Sequence, residues 1–353
     1  MTLTPYGWTP QLQKNFLPFL ENEMQPARVI RASRGAVTVA TSSDELPCIT
    51  AGRLHPDGEI GPPVAGDWVA LDTRADTAVI RAILPRSGEL NRRRAGTAER
   101  QQTVAANVSD VLIVESADRG PNRRRIERAV SVVFGGGASP IILLSKCELS
   151  TQLDEDLQRA REAAPFSEVI AVSAVRGDGM EELRHRLGPG VTSVLLGPSG
   201  AGKSTLVNRL LGEDRLAIGS VRRGDSKGRH TTTSSQLVPL PTGGCLIDTP
   251  GVRELGLWLA AEQVDAAFSD IEHVARACRF RDCRHLGEPG CAVRAATETG
   301  ELDAARLESY HKLRREAEVH ELRHDASRRH EQRRTDRSFA KLCRREIKRK
   351  GLK

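Results

Sequence analysis

The clearest indication of the fold in the central part of the chain is "GPSGAGKSTLVNRLLG" at residues 197–212. It matches G-x-x-x-x-G-K-[ST], in which glycines let backbone N–H groups surround phosphate oxygens and the lysine reaches the β- and γ-phosphates. The apolar "TSVLLG" before it predicts a strand, and "KSTLVNRLL" predicts a helix whose N-terminus favours an anion. This context predicts a phosphate-binding loop in an α/β domain with a largely parallel sheet.

The predicted phosphate loop places Lys203 on the phosphates and the Ser204 hydroxyl on Mg²⁺. Its nucleotide-binding residues are predicted to be Gly197, Pro198, Ser199, Gly200, Ala201, Gly202, Lys203, Ser204 and Thr205.

Two segments downstream fit the rest of a phosphate site. In "DTPG" (residues 248–251), Asp248 is predicted to hold the Mg²⁺ shell and the Gly251 N–H to bind the γ-phosphate, although D-x-x-G alone is a common turn. In "GRHTTT" (residues 228–233), Thr231 and Thr232 are predicted to close on the nucleotide, with Thr232 on Mg²⁺. The alternative for this second segment is a flexible polar linker.

The best candidate for a base-reading motif lies upstream of the phosphate loop. GTPases read guanine with N/T-K-x-D after a strand, and the buried strand "PIILLS" leads into Ser145, Lys146, Cys147 and Glu148. The next predicted strand ends in Ser173 and Ala174, which resemble the Ser-Ala loop behind the guanine oxygen. The motif order is therefore that of a circularly permuted GTPase, which is feasible because domain termini often lie close together.

The predicted base reader and catalytic group depart from the usual patterns. Glu148 replaces Asp but still accepts hydrogen bonds from guanine, whereas adenine offers an acceptor there, so guanine is expected to be preferred. Ras-like proteins place a water-orienting Gln right after the D-x-x-G glycine, where this chain has Val252. His230 is the candidate catalytic residue, and the alternative is an exposed loop histidine.

The stretch "CRFRDCRHLGEPGCAV" contains three cysteines and one histidine in the spacing C-x4-C-x-H-x5-C. These residues, Cys278, Cys283, His285 and Cys291, are a complete tetrahedral ligand set for one structural Zn²⁺. The alternative is a group of free thiols in a reducing cytoplasm.

The N-terminal third predicts a small β-domain. From Ala27 to Arg86, five short apolar stretches are separated by Gly, Pro and Asp turns, which indicates an OB-fold or another small barrel. Residues 1–26 are expected to be a loose arm, and residues 91–107 a polar connector.

Charge is concentrated at the C-terminus. The chain has a net charge of +7, while residues 311–353 carry 16 Lys and Arg against seven Asp and Glu. Such a segment suits nucleic acid, and the alternative is a solvated helix or tail. No apolar run is long enough to span a membrane, and "MTLTPYGWTPQLQKNF" does not resemble a signal peptide, so a cytoplasmic protein is expected.

Seven motifs together resemble one family, the RsgA (YjeQ) small-ribosomal-subunit biogenesis GTPases, over nearly the whole chain from about Ala27. They are "GDWVAL", "AANVSDVLIV", "GPSGAGKSTLVN", "GRHTTT", "DTPGVREL", "CRFRDCRHLGEPGCAV" and "RLESYHKL". The resemblance implies an OB-fold at residues 27–90, a circularly permuted GTPase at 91–256 and a helical zinc-binding domain with a basic tail at 257–353. It further implies that a monomer binds the 30S subunit and 16S rRNA, that the subunit stimulates GTP hydrolysis in late maturation, and that the factor is then released.

Two rival functions fit parts of the sequence. One is a P-loop ATPase or kinase that has lost guanine specificity, given Ser145 and Glu148 at the base reader. The other is a non-catalytic RNA-binding module that holds nucleotide only as a structural ligand, given Val252.

Overall fold

The computed structural model describes residues 3–33, 36–54, 61–93, 101–212, 235–248 and 259–324. The chain divides into two compact units, one of residues 1–92 and 102–258, the other of residues 93–101 and 259–353. His230, Thr231, Thr232 and Gly251, predicted as site residues, lie outside the described residues, as do Val252 and the basic tail beyond residue 324.

The first unit begins with the predicted barrel, whose strands are β1 (Gln25–Ser33), β2 (Ala36–Ala40), β3 (Glu45–Thr50), β4 (Trp68–Asp72) and β5 (Ala78–Ile83). The sheet closes in the order β1-β2-β3-β5-β4-β1, with β3 and β5 parallel and the other pairs antiparallel. Val29, Val39 and Leu71 are fully buried in its interior. The OB-fold prediction is thereby confirmed.

The expectation of a loose N-terminal arm is wrong for the part of it that the structure describes. A 3-10 turn (Thr4–Tyr6) leads into helix α1 (Pro10–Leu20), whose N-cap Thr9 accepts a hydrogen bond from the backbone N–H of Leu12. Phe16 is fully buried, and the Trp8 ring lies edge-on to Trp68 with 4.8 Å between centroids. The segment packs because its apolar side chains cover the outer face of β4.

The polar connector also contains structure that the sequence did not indicate. Strands β6 (Glu89–Arg93) and β7 (Gln101–Ala106) pair as a separate two-stranded sheet.

The described residues of the α/β part of the first unit contain six strands. They are β8 (Asp110–Ser116), β9 (Ser139–Ser145), β10 (Glu168–Val172), β11 (Thr192–Leu196), β12 (Ser235–Pro239) and β13 (Cys245–Asp248). Their order is β10-β9-β8-β11-β13-β12, and every neighbouring pair is parallel except β12–β13. The helices are α2 (Arg123–Gly135), α3 (Leu153–Ala163), α4 (Met180–Arg186) and α5 (Lys203–Leu211). The predicted permuted α/β fold is confirmed.

Two helix starts are fixed by local contacts. Helix α2 is capped by the side chain of Asn122, which accepts from the Arg125 N–H, so the proline before it lies outside the first turn. Helix α4 (Met180–Arg186) follows its N-cap Gly179, which lies in the left-handed region. A Cβ at Gly179 would lie 2.0 Å from the Ala171 carbonyl oxygen, so this close approach requires glycine.

The barrel and the α/β region share one continuous sheet of eleven strands. Strand β1 pairs antiparallel with β12 through Arg31 opposite Gln236 and Ala32 opposite Ser235.

The second unit is helical, with α6 (Ala261–Ala267), α7 (Ser269–Ala275), α8 (Ala292–Glu298) and α9 (Ala304–His324). Ion pairs join α9 to the earlier helices, from Arg306 to Asp270 and from Arg314 to Asp265, each at 2.5 Å. Among the described helices, none combines the length and apolar character needed to cross a bilayer.

Candidate functional site

The phosphate loop follows β11 and leads directly into α5. Gly197, Gly200 and Gly202 have φ values of 148°, 80° and 81°, which favour glycine. A Cβ at Gly197 would lie 2.3 Å from the carbonyl oxygen of Val114 in the neighbouring strand. The glycines that the motif requires for a phosphate cradle are therefore also required by this fold.

Lys203 is the first residue of α5, and its side chain folds back over the loop. Its Nζ lies 2.6 Å from the carbonyl oxygens of both Gly197 and Pro198. Ser204 and Thr205 follow, half-buried, in the first turn. The ammonium and the helix N-terminus thus give this loop the electrostatics of an anion site.

The predicted base-reading turn (residues 145–148) lies beside the phosphate loop. The Ser145 Oγ is 2.6 Å from the Ala201 carbonyl oxygen and 3.0 Å from that of Glu115, so its single proton can be shared between them. A Cβ built at Gly202 would lie 3.8 Å from both the Ser145 Oγ and the Lys146 Cε. Residues far apart in the sequence are therefore neighbours in one site.

Lys146 adopts a left-handed conformation, with φ 55°, and starts the 3-10 turn Cys147–Leu149. Cys147 is buried, and burial is the largest cause of the raised pKa of its thiol. The Oε2 of Glu148 is also buried and has no hydrogen-bond partner among the described residues. A buried carboxylate oxygen without a protein donor is suited to accept hydrogen bonds from a ligand.

The Ser-Ala loop follows β10, which neighbours β9 in parallel. The Ser173 Oγ accepts from the Arg176 N–H at 2.9 Å, and the Ser173 carbonyl accepts from the Gly177 N–H at 2.8 Å. Ala174 packs against the core of the α/β region. The loop is therefore a tight turn at the same end of the sheet as the base-reading turn.

Asp248 ends β13, which neighbours β11 in parallel, so its position at the sheet end matches that of the phosphate loop. The sequence interpretation missed one contact at this end. The Lys146 ammonium pairs with Asp118, just beyond β8, at 3.2 Å. Spacing along the chain carries no signal for this pair; only the adjacency of β8 and β9 brings the two residues together.

The second unit contains the four predicted metal ligands, Cys278, Cys283, His285 and Cys291, whose ligand atoms all lie within 4.8 Å of one another. The Nδ1 of His285 is 3.5 Å from the Cys291 Sγ and 3.7 Å from the Cys278 Sγ. Tetrahedral zinc with ordinary bond lengths requires sulfur and nitrogen ligands about 3.6 Å apart. The cluster therefore fits a metal ion of this kind.

The backbone and the local environment support this cluster. His285 has φ 61°, and burial lowers the pKa of its imidazole, which favours the neutral form that binds metals. Cys291 is the N-cap of α8. The carboxylate of Glu288 accepts from the N–H groups of Arg284, Leu286 and Gly287, which stabilises the loop between the ligands.

Comparison with known proteins places this geometry in a family. The model of the RsgA GTPase family matches residues 83–258. A small ribosomal subunit biogenesis GTPase RsgA of Streptomyces avermitilis is 43% identical over 317 residues, which cover 89% of this chain and 85% of the relative. The chain belongs to the RsgA GTPase family. RsgA GTPases are GTP hydrolases, and this activity agrees with the phosphate loop and the base-reading turn.

Solved structures support the RsgA fold. YjeQ from Thermotoga maritima is similar with a TM-score of 0.63 and 25% identity, covering 83% of this chain and 98% of that one. YloQ, described as a circularly permuted GTPase, is similar in fold with a TM-score of 0.60 and 24% identity, covering 84% of this chain and 96% of that one.

Proposed function

We propose that this RsgA-family chain binds the 30S ribosomal subunit, hydrolyses GTP during its late maturation, and leaves the subunit after hydrolysis. The observation that carries the nucleotide part is the 2.6 Å contact between Ser145 and Ala201, because it joins a base-reading turn to a phosphate loop. The ribosomal part is supported by the name of the Streptomyces avermitilis relative, a small ribosomal subunit biogenesis GTPase. We expect the factor to act as a cytoplasmic monomer.

In this proposal the phosphates of GTP lie on the backbone N–H groups of residues 199–205, with Lys203 beside the β- and γ-phosphates. Ser204 and Thr232 would bind Mg²⁺ and Asp248 would hold its shell, and the bound ion would supply positive charge next to the phosphates. Thr231 and Gly251 complete the γ-phosphate contacts.

Guanine is selected by the turn that carries Glu148, with Ser173 and Ala174 behind the base. The carboxylate of Glu148 accepts from the N1–H and the 2-amino group, while the Lys146 stem covers the ring. Adenine presents an acceptor at N1, which the carboxylate repels. The Oε2 of Glu148, which is buried and has no partner in the part of the chain that the structure describes, supports this role.

Hydrolysis needs a group that orients the attacking water, and we assign this to His230. Val252 occupies the position of the water-orienting residue in Ras-like proteins and has no polar group. Intrinsic hydrolysis is therefore expected to be slow, with the 30S subunit accelerating it.

The second unit is proposed to bind 16S rRNA on a scaffold held by one structural Zn²⁺. Four arginines in and next to the ligand loop, Arg276, Arg279, Arg281 and Arg284, are exposed. They offer contacts to phosphates, and the basic tail adds more. Because the D-x-x-G segment leads into this unit, loss of the γ-phosphate is proposed to change its pose and release the factor.

The decisive experiment measures phosphate release from GTP and from ATP, with and without purified 30S subunits. Strong stimulation of GTP hydrolysis alone is the expected result. Equal turnover of both nucleotides would instead favour an ATPase with relaxed base recognition, and no turnover with subunits present would favour a non-catalytic RNA-binding module. Release is tested separately, by 30S affinity with GDP against a non-hydrolysable GTP analogue; equal affinities would contradict it.

A further inference from the structure

We propose that Asp118 is a positioning residue for guanine recognition, which holds the Lys146 ammonium and thereby fixes the turn that carries Glu148. The inference rests on the proposed function, since it refines how the same site reads the base. Asp118 belongs to neither the phosphate loop nor the base-reading motif, and it follows a different strand.

The backbone brings the two residues together. Ser116 and Ser145 are register partners at the ends of the parallel strands β8 and β9. One residue further on, the Ala117 N–H donates to the Ser145 carbonyl at 2.8 Å. The segment that carries Asp118 is therefore anchored to the last residue before Lys146.

Asp118 is itself held in place before it meets the lysine. The Ser116 hydroxyl donates to its Oδ1 at 2.5 Å. The segment turns back on itself, with the Arg119 N–H donating to the Ser116 carbonyl at 3.3 Å and Gly120 adopting φ 70°. The second carboxylate oxygen, Oδ2, accepts from the Lys146 Nζ at 3.2 Å.

The charge state of Asp118 suits this role. Burial tends to raise the pKa of its carboxyl, but the hydrogen bonds from Ser116 and Lys146 oppose this and the net pKa is lowered. The carboxylate is therefore ionised at neutral pH. The side chains of Lys146 and Asp118 are 29% and 25% exposed, so the pair is only partly screened by solvent.

Lys146 needs such an anchor, because a residue other than glycine pays a conformational cost at φ 55°. Its stem runs past the phosphate loop, with the Cγ 3.9 Å from a Cβ built at Gly202. Its carbonyl accepts from the Leu149 N–H at 2.9 Å, closing the turn that contains Glu148. Loss of the ammonium contact is therefore expected to loosen Glu148 as well as Lys146.

The test compares GDP with inosine diphosphate, which lacks the 2-amino group that Glu148 is proposed to bind. Equilibrium affinities of both are measured for the full chain and for Asp118→Asn, which keeps the side-chain shape and removes the charge. GDP affinity is expected to fall about 3- to 5-fold, as for a partly exposed charged contact, and inosine diphosphate affinity to fall less. The ratio of the two affinities should therefore shrink.

Two comparisons sharpen the result. Asp76→Asn, at an exposed barrel turn, makes the same charge change and is expected to leave both affinities unchanged. In a Lys146→Met background, Asp118→Asn should add less than about 2-fold, because the two residues act through one contact.

Equal losses for both nucleotides, or no loss, would overturn the positioning role while leaving guanine recognition intact. An additive loss in the Lys146→Met background would also overturn it, since Asp118 would then act by another route. If the unaltered chain does not prefer GDP over ADP, the proposed base recognition itself fails, and this inference with it.

Discussion

Arg28 of the barrel strand β1 donates a hydrogen bond from its Nη2 to the Thr192 hydroxyl of β11 at 2.9 Å, joining the barrel to the GTPase sheet. The same guanidinium donates to the carbonyl oxygens of Tyr6 and Gly66 and lies 4.9 Å from the Trp68 ring centroid. Burial lowers the pKa of Arg28 to about 10, so it remains charged at neutral pH. One buried cation thus connects the N-terminal segment, the barrel and the sheet of the GTPase region.

Replacing this cation should destabilise the first unit. Arg28→Met removes the donor to the Tyr6 carbonyl and to the Thr192 hydroxyl, whereas the Gly66 carbonyl keeps a donor in the Asn107 amide. We expect the free energy of unfolding to fall by about 1–3 kcal/mol. Urea denaturation followed by tryptophan fluorescence measures this, since Trp8 and Trp68 lie at the junction. Arg31→Met is the matched control, because Arg31 is exposed in the same strand. Equal stability of the two variants would contradict the role of Arg28.

Ser145→Ala should weaken nucleotide binding. The substitution removes the hydroxyl that joins the base-reading turn to the phosphate loop, and we expect GDP affinity to fall about 5- to 10-fold, for a lost bond of about 1 kcal/mol. Isothermal titration with GDP checks this. Ser139→Ala, at the exposed start of the same strand, should bind GDP normally. Unchanged affinity in Ser145→Ala would mean that the contact does not support the site.

Glu148 should decide which purine binds. Glu148→Ala is expected to lower GDP affinity at least about 10-fold, as for loss of a charged hydrogen-bond acceptor, with little change for ADP. Glu148→Asp restores the more usual carboxylate and should retain the preference for GDP. Competition of both nucleotides against a fluorescent GDP analogue provides the measurement. A GDP preference that survives Glu148→Ala would assign base reading to another group.

The four predicted metal ligands should keep the helices of the second unit folded. We expect one zinc ion per chain by elemental analysis, lost in Cys291→Ser, because Cys291 is both a predicted ligand and the N-cap of α8. Helical circular dichroism should fall on treatment with a chelator and return with added zinc, as metal binding supplies folding free energy. The control variant Cys48→Ala, which changes a cysteine in the barrel core, should retain one zinc ion per chain. A chain that binds no zinc and keeps its helices would refute the structural role.

Local chemistry made part of this structure predictable. The phosphate loop and the metal ligands are close in sequence, and their geometry follows from glycine freedom and ligand spacing. The barrel strands are also predictable from the sequence, because apolar residues such as Val29 and Val39 recur on the faces that point into the barrel.

The features that sequence reasoning missed depend on distant partners. Helix α1 packs because Trp68, far along the chain, offers a face to Phe16 and Trp8. Helix α4 begins after a left-handed glycine because the Ala171 carbonyl oxygen leaves no room for a Cβ at Gly179. The ion pair between Asp118 and Lys146 was not predicted, because it depends on β8 and β9 being neighbours in the sheet. No local sequence pattern indicates that strand order.

Strand β12 pairs with a strand on each side, with β13 in the GTPase region and with β1 in the barrel. A shortened chain that lacks the barrel would also lack β1. The backbone of Ser235 and Gln236 would then be unpaired along an open sheet edge. Such an edge recruits strands from other molecules, so the shortened enzyme is expected to aggregate. Apart from any contact with RNA, the barrel is therefore expected to prevent self-association by covering this sheet edge.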